Sequence, residues 1–283
     1  MKADAILVLG STGKTGRRVV ERLAALDVNM RPGSRAGAPP FDWAKRATWA
    51  PVLEGVKAVY ISYCPDLAVK GAADDIRAFT RLAVQSGVRR LVLLSGRGEK
   101  EAQHCEDIVR QSGAEWTLLR ASWFAQNFSE AHFLEPILAG EVTLPVGDVG
   151  EPFVDAGDIA DVAAAALTED GHAGQLHELT GPRLWTFADA VAEIARATER
   201  PIRFTRVPIQ EYAAALEEAQ LPPDIVGLIR YLFTEVLDGR NASVKDGVQR
   251  ALGRRPREFA DYVRATAATG VWTPAVEDSA PNF

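Results

Sequence analysis

The amino-acid sequence predicts an α/β fold, a doubly wound parallel sheet with helices on both faces. Over the first two-thirds of the chain, short apolar runs alternate with amphipathic stretches, and a glycine-rich turn joins the first run to the first amphipathic stretch. The 283 residues, 47 % of them hydrophobic and 25 % charged, are enough for one large domain or a domain with a smaller partner.

The strands follow from the apolar runs. In chain order they are predicted at Ala5–Gly10, Val28–Arg35, Phe41–Trp43, Lys57–Tyr63, Arg90–Ser95, Glu115–Arg120 and Gln175–Gly181. Runs such as KAVYISY and RLVLLS are typical of strands buried on both faces. Pro32 lacks the amide hydrogen that a central strand needs, so the second strand is the least regular of the set.

The helices follow from apolar residues that recur on one face. Val19, Val20, Leu23 and Leu26 do so in the first amphipathic stretch, which predicts a helix over Gly16–Leu26. Further helices are predicted over about Ala72–Ser86, over about Glu99–Gly113, and from Thr186, where Asp189 completes a capping box. The rest of the chain, to about Thr269, is predicted to be mostly helical.

Composition excludes several classes of protein. The net charge of −6 argues against a nucleic-acid groove, which needs clustered lysine and arginine. Cys64 and Cys105 are too few for a disulfide scaffold, and the four histidines have no metal-ligand spacing, so no metal is expected. No apolar run is long enough to span a membrane, and we expect a cytoplasmic protein without a membrane partner.

The glycine-rich turn predicts a phosphate site. Gly10, Gly13 and Gly16 lie between the first strand and the first helix, where backbone N–H groups and the helix dipole favour a pyrophosphate. Glycine lets the dinucleotide approach the backbone closely because it has no Cβ. The alternative is a helix-packing turn without a ligand; the flanking strand and helix favour the nucleotide.

The end of the second strand predicts NADP(H) rather than NAD(H). An NAD site usually has an acidic residue here for the ribose hydroxyls, whereas a basic side chain suits a 2′-phosphate. Arg31, Ser34 and Arg35 stand at this position, and Asp27 comes too early in the chain. An exposed loop arginine is the alternative interpretation.

The chain resembles a known family, the NmrA-like group of atypical short-chain dehydrogenase/reductases. The resemblance is carried by GSTGKTGRRV, GSR, VYISY, RLVLLSG, WTLLRASWFAQNF and PFVDAGDIADVAAAAL, over roughly residues 4–182. It implies a Rossmann-type NADP-binding domain with a smaller, mostly helical substrate-binding domain. The NADP-binding domain is expected to comprise residues 1–138, with 153–182 returning to it. The substrate-binding cap is expected to comprise 139–152 and 183–272, and residues 273–283 are expected to form a flexible tail.

The resemblance also implies roles for single residues. The cofactor residues are Gly10, Thr12, Gly13, Lys14, Thr15 and Gly16 for the phosphates, Ser34 and Arg35 for the 2′-phosphate, Asp42 for the adenine, and Ser62, Tyr63, Ser95 and Gly96 for the ribose and nicotinamide. Trp123, Phe124 and Asn127 are expected beside the substrate, although core packing is an equal alternative for the two aromatic residues.

One departure from the wider superfamily bears on the chemistry. Typical short-chain reductases use Tyr-x-x-x-Lys, in which lysine lowers the phenol pKa for proton donation, and this sequence contains no such pair. Ser95 and Tyr63 are the remaining candidates for catalytic residues. Arg97, Glu99 and Lys100 are interpreted as mobile loop charges, and His104 as a surface residue.

These observations predict an NADPH-dependent ketoreductase acting on a bulky conjugated substrate, such as an aromatic polyketide in antibiotic biosynthesis. Without a dyad the product anion must be stabilised by the substrate itself. A quinone or enone reductase and a redox-silent NADP(H)-sensing regulator are the alternatives. The expected partner is an aromatic or quinonoid small molecule, and the sequence leaves monomer and homodimer open.

Overall fold

A computed structural model describes residues 4–274 of the chain. Six parallel strands form the main sheet, in the order β2-β1-β3-β4-β5-β7, and β6 pairs with β8 in a separate two-stranded sheet. The strands are β1 (Ala5–Leu9), β2 (Met30–Gly33), β3 (Val56–Ile61), β4 (Arg90–Gly96), β5 (Glu115–Ala121), β6 (Glu141–Leu144), β7 (Gln175–Leu179) and β8 (Arg203–Arg206).

The helices are α1 (Lys14–Ala25), α2 (Trp49–Leu53), α3 (Ala72–Gln85), α4 (Lys100–Arg110), α5 (Leu134–Ala139), α6 (Ala156–Thr168), α7 (Phe187–Thr198), α8 (Ile209–Glu218), α9 (Pro223–Tyr231), α10 (Gly247–Leu252) and α11 (Phe259–Ala267). The parallel sheet, covered on both faces, confirms the predicted fold class. The predicted capping box is present, since Thr186 and Asp189 cap α7 reciprocally.

The pleat of each strand decides which side chains meet which helices. Leu7 and Leu9 of β1 join the apolar core under α2, α3 and α4, whereas Ile6 and Val8 join the core under α1, α6 and α10. The same alternation runs through β3 and β4, because successive side chains of a strand point to opposite faces. We call these the α3 side and the α1 side of the sheet.

Two sequence predictions change in the structure. Residues 41–43 form no strand and lie in a loop before α2. Phe41 of this loop and Trp49 of α2 are buried against α3. Pro32 lies in β2, an edge strand that pairs with β1 alone, so its missing amide hydrogen leaves no central hydrogen bond unmade.

A third apolar core lies outside the main sheet. It is rich in aromatic residues, among them Phe128, Phe133, Phe187 and Phe259, and it includes β6 and side chains of α5, α7 and α11. Helix α10 instead packs on α6 and β7 of the main sheet, although it belongs to the segment predicted as a cap. The predicted tail at 273–283 lies mostly outside the described residues, which end at 274. Within those residues no helix is long and apolar enough to cross a lipid bilayer.

Candidate active site

The three glycines form a close-packed turn at the carboxyl end of β1. Gly10 adopts φ +66°, and the Gly13 N–H donates to its carbonyl at 2.8 Å. A Cβ on Gly16 would stand 2.1 Å from that same carbonyl oxygen, so only glycine allows α1 to begin so near β1. The first turn of α1 carries neither a side-chain cap nor an acidic residue, which leaves its positive end free for an anion.

This turn lies at the point where the strand order of the sheet reverses. Strand β2 is on one side of β1 and β3 is on the other, and in open α/β sheets such a switch point is where ligands bind. A Cβ built on Gly10 would lie 3.3 Å from the Ser62 Cβ, so the ends of β1 and β3 are in direct contact. The residues present therefore fit a dinucleotide phosphate group.

The structure separates the two arginines at the end of β2. Arg31 donates to the carbonyls of Val52 and Glu54, at 2.5 and 2.9 Å, and holds α2 in place. Arg35 lies two residues beyond β2 and is exposed to solvent. Only Arg35 is thus available for a 2′-phosphate.

Ser34 and Asp42 are held together by the loop that follows. The Ser34 carbonyl accepts N–H donors from Gly37 and Phe41, at 3.0 and 2.8 Å, which closes the loop and returns the chain to β2. The Asp42 carboxylate accepts the Ala44 N–H at 3.1 Å and lies one residue after this closure. The predicted Ser34, Arg35 and Asp42 are therefore grouped beside the glycine turn.

Lys14 connects the turn to the predicted substrate residues. Its ammonium donates to the Asn127 Oδ1 at 2.8 Å, and burial lowers its pKa, with the Arg17 charge adding to the effect. Arg17 and Arg18 both bind the Glu130 carboxylate, at 2.5 and 2.6 Å. The start of α1 is thus bound to the segment after β5 by one amide contact and two ion pairs.

The two threonines of the turn differ. Thr12 is exposed at the mouth of the turn, where its hydroxyl is accessible. Thr15 is buried, and its Oγ1 accepts the Tyr60 hydroxyl at 2.9 Å beneath α1. Only the backbone of Thr15 is available to a phosphate.

Ser95, the predicted hydrogen-bond donor for a carbonyl, has another partner. It lies on the α3 side of β4 and is 4 % exposed, and its hydroxyl donates to the Glu106 Oε1 at 2.7 Å. Glu106 is fully buried and is held by the Arg120 guanidinium at 2.5 and 2.9 Å. The Ser95 hydroxyl therefore joins α4 to β4 and β5 and is not free to polarise a substrate.

Tyr63 also departs from its predicted role. Its hydroxyl donates to the Asp75 Oδ2 at 2.9 Å, and its ring packs on Trp43 with centroids 4.8 Å apart. Burial raises the pKa of Tyr63, and the Asp75 carboxylate raises it further, so the phenol is a poorer acid than in water. This arrangement disfavours both the acid and the ribose role predicted for Tyr63.

The pleat explains why these predictions differ. Ser62 and Gly96 fall on the α1 side of the sheet, like Gly10, while Tyr63 and Ser95 each fall one residue away, on the α3 side. Gly96 thus remains a candidate for the cofactor site, and Ser62 lies against the glycine turn.

Trp123 and Phe124 are half-buried at the end of β5. The Trp123 ring packs edge-on to Phe187 and tilted against Phe233, both at 5.5 Å, so one part of it covers the third core. Phe124 packs on the α1-side core. Both residues make the core contacts that the sequence left open as an alternative, and their substrate role stays a prediction.

A buried carboxyl lies directly behind Trp123. The Trp123 N–H donates to the Glu151 Oε1 at 3.2 Å, and Glu151 is fully buried. Its other oxygen has no hydrogen-bond partner within residues 4–274. Burial raises the pKa of Glu151 to about 7, against the opposing effects of the Trp123 N–H and the Arg97 charge.

The sequence suggested that the loop after β4 carries mobile charges, but in the structure this loop is buried. Arg97 and Glu99 are 5 % and 7 % exposed. The Arg97 guanidinium donates to the carbonyls of Asn241 and Ser243, both at 2.9 Å, and the Asn241 amide donates back to the Arg97 carbonyl at 3.0 Å. The sequence carries no local signal for these contacts, because their partners are 144 and 146 residues away. His104 is exposed, in agreement with its prediction.

Several known proteins are similar in sequence to this chain over nearly its whole length. No protein-family model matches the sequence. An uncharacterized oxidoreductase of Bacillus subtilis, YesF, is 31 % identical over 286 residues, covering 96 % of this chain and 99 % of YesF. Agroclavine dehydrogenase of Claviceps fusiformis is 30 % identical, covering 91 % of this chain and 96 % of the relative. A (4-alkanoyl-5-oxo-2,5-dihydrofuran-3-yl)methyl phosphate reductase of Streptomyces griseus is 31 % identical with the same coverage.

Solved structures share the fold at lower identity. The NADPH-dependent quinone oxidoreductase QOR2 of Escherichia coli, complexed with NADPH, superposes with a TM-score of 0.75 at 23 % identity, covering 93 % of this chain and 99 % of that one. The Citrobacter triphenylmethane reductase complexed with NADP(H) gives 0.72 at 16 % identity, with the same coverage. A mutant of NmrA gives 0.70 at 16 % identity, covering 95 % of this chain and 97 % of that one.

The glycine turn at the switch point, the relatives at 30 % identity or more over nearly the whole chain, and the NmrA-type fold agree with one another. The chain is an oxidoreductase and belongs to the NmrA-like group of atypical short-chain dehydrogenase/reductases.

Proposed function

We propose that this protein is an NADPH-dependent reductase of a flat, conjugated acceptor whose product anion is delocalised. The main support for the proposal is that both hydroxyl groups predicted as proton donors are already hydrogen-bonded to carboxylates. Ser95 donates to Glu106 and Tyr63 donates to Asp75, so neither offers a proton to an ordinary alkoxide. An acceptor that spreads its own negative charge tolerates the loss of these two hydroxyl donors.

The chain's residues supply binding and alignment. Gly10, Gly13 and the free start of α1 would hold the pyrophosphate, and exposed Arg35 would hold the 2′-phosphate. When bound, NADPH supplies a hydride to the acceptor carbon. Holding the two molecules in the reactive geometry can lower the activation barrier of such a step by about 7–11 kcal/mol in favourable cases.

Lys14 and the segment after β5 would position the acceptor. The Lys14–Asn127 contact links the phosphate turn to the half-buried Trp123 and Phe124, which present flat surfaces to a planar ligand. The relatives' names agree with acceptors of this kind: one is an azoreductase, and two structural neighbours are a quinone and a triphenylmethane reductase. A conjugated ketone, including an aromatic polyketide of an antibiotic pathway, belongs to the same chemical class.

The proposal is tested with purified protein, NADPH and a panel of a naphthoquinone, an azo dye, an enone and a hydroxyaryl ketone. Loss of the reduced-nicotinamide absorbance with at least one of them is expected, and simple unconjugated ketones should be inert. Tight NADPH binding without turnover of any acceptor would overturn the reductase and favour an NADP(H)-sensing regulator.

A further inference from the structure

The ends of β3 and β4 carry two carboxyl groups that nothing above uses. Asp66 lies in the loop after β3, and Glu99 lies at the N-cap of α4, in the loop after β4. Adjacent parallel strands end at the same edge of a sheet, so the two loops meet at the edge where the glycine turn also lies. Burial raises the pKa of Asp66, and the Ala68 N–H, which its Oδ1 accepts at 2.8 Å, opposes this rise in part.

Glu99 lies on the cofactor side of this edge. A Cβ built on Gly96 would stand 1.9 Å from the Glu99 Oε1 and 2.7 Å from its Oε2, so the carboxyl occupies the space in front of Gly96. That direction is the α1 side of β4, which is also the side of Gly10 and Ser62. A side chain at position 96 would have to displace the Glu99 carboxyl from this place.

One oxygen of this carboxyl accepts no hydrogen bond from an N–H or O–H donor of residues 4–274. The Glu99 Oε2 is buried, the whole side chain is 7 % exposed, and the Asp66 carboxyl lies within hydrogen-bond reach of Glu99. A buried polar atom without a partner is costly and is most often found where a ligand or a reaction uses it. The charge state agrees with such a use. Burial raises the pKa of Glu99 well above its ordinary value, and the neighbouring Asp66 raises it further.

The remaining groups around the pair come from three elements. Tyr231 of α9 accepts the Lys100 N–H at 3.3 Å and lies near both Glu99 and Arg240. Cys105 of α4 lies near Asp66, and the charged groups around it are Glu101 and Glu106 of α4 and Arg77 of α3. Among these groups Glu99 is the carboxyl that is both buried and in front of Gly96.

We propose that Glu99, which covers Gly96 at the cofactor edge of the sheet, is the proton donor of this reductase. The proposal rests on the proposed function, which supplies the hydride acceptor. As the acceptor gains a hydride, which carries the two electrons, the Glu99 O–H bond breaks and its proton passes to the acceptor's anionic atom. Glu99 is left as a carboxylate beside Asp66, and a proton from solvent restores the pair. The sum is NADPH, a proton and acceptor giving NADP⁺ and reduced acceptor.

Glu99→Gln tests the donor because it keeps the shape and removes the acidic proton. We expect kcat to fall by about 10²–10⁴-fold, the usual contribution of a general acid, with NADPH affinity within about threefold of wild type. Glu101→Gln, exposed on the same helix turn, is the matched control and should keep the wild-type kcat.

Asp66→Asn separates proton donation from a structural role. Removing the Asp66 charge lowers the pKa of Glu99, so the alkaline fall of kcat should move to lower pH while the fold is retained. Infrared spectra provide a readout without turnover: the difference spectrum between wild type and Glu99→Gln at neutral pH should contain the carbonyl band of a buried protonated carboxyl, whereas the band of Glu151, which both proteins share, should cancel.

The outcomes are distinguishable. Wild-type turnover with an unchanged kcat and pH profile in Glu99→Gln overturns this inference and leaves the proposed function intact. A difference spectrum between wild type and Glu99→Gln without this carboxyl band overturns the protonated pair independently of activity. A wild type that binds NADPH but reduces no acceptor removes the proposed function and the donor together.

Discussion

The buried Glu151 predicts an unusual dependence of stability on pH. Its carboxyl is fully buried behind Trp123, accepts one N–H at 3.2 Å, and has a second oxygen without a partner in residues 4–274. Ionisation in this place is costly because the charge loses its water, a cost that the Trp123 N–H, the Arg97 charge and the Ser122 hydroxyl offset only in part. Glu151→Gln removes the ionisation and keeps the shape and the acceptor for Trp123.

The magnitude follows from the two pKa values. The pKa is about 7 in the folded protein and 4.5 in the reference state. Below pH 4.5 both states bind the proton and there is no penalty. As pH rises from 4.5 to 7, the unfolded chain releases the proton before the folded one, so stability falls. At about 1.4 kcal/mol per pKa unit the full penalty is about 3 kcal/mol.

The assay is denaturant unfolding of wild type and Glu151→Gln between about pH 5 and about pH 8. The difference in unfolding free energy should shift by about 2–3 kcal/mol in favour of the variant as pH rises. Glu217→Gln, exposed on α8, controls for the loss of one negative charge. Parallel pH dependences for wild type and Glu151→Gln would refute the reasoning, because Glu151 would then ionise without cost.

Three further predictions concern the candidate site. Arg35→Ala should weaken NADPH binding by about tenfold or more in calorimetry and leave the affinity for NADH nearly unchanged, since the exposed guanidinium would contact only the 2′-phosphate. Equal losses of affinity for the two cofactors would remove this assignment. Ser95→Ala should cost about 1–3 kcal/mol in unfolding free energy through its lost bond to Glu106, with kcat within about threefold; an abolished rate in a folded variant would restore Ser95 as the acid. Tyr63→Phe should keep kcat within about threefold, because its phenol is bound to Asp75, and a kcat loss of about 10²-fold would contradict that.

The sequence alone predicted the six strands of the main sheet, with one further strand at 41–43 that the structure lacks, and the glycine turn after β1. Both depend on residues close together in the chain: apolar runs that fit a strand, amphipathic repeats that fit a helix, and glycines at fixed spacing between them. The conformation of the turn depends on β1, α1 and the glycines between them, so the local pattern is enough to predict it. The position of Arg35 just after β2 was predictable for the same reason.

The tertiary structure decided which side chains are free to act. Ser95 and Tyr63 look available in the sequence, but the pleat turns both to the α3 side, where Glu106 and Asp75 bind them. Glu99 looks like a loop charge, yet the loop that carries it is buried by residues more than 140 positions later. Periodicity records which residues are apolar. It does not record which distant element covers a polar one, and burial by such an element determines whether a carboxyl keeps its proton.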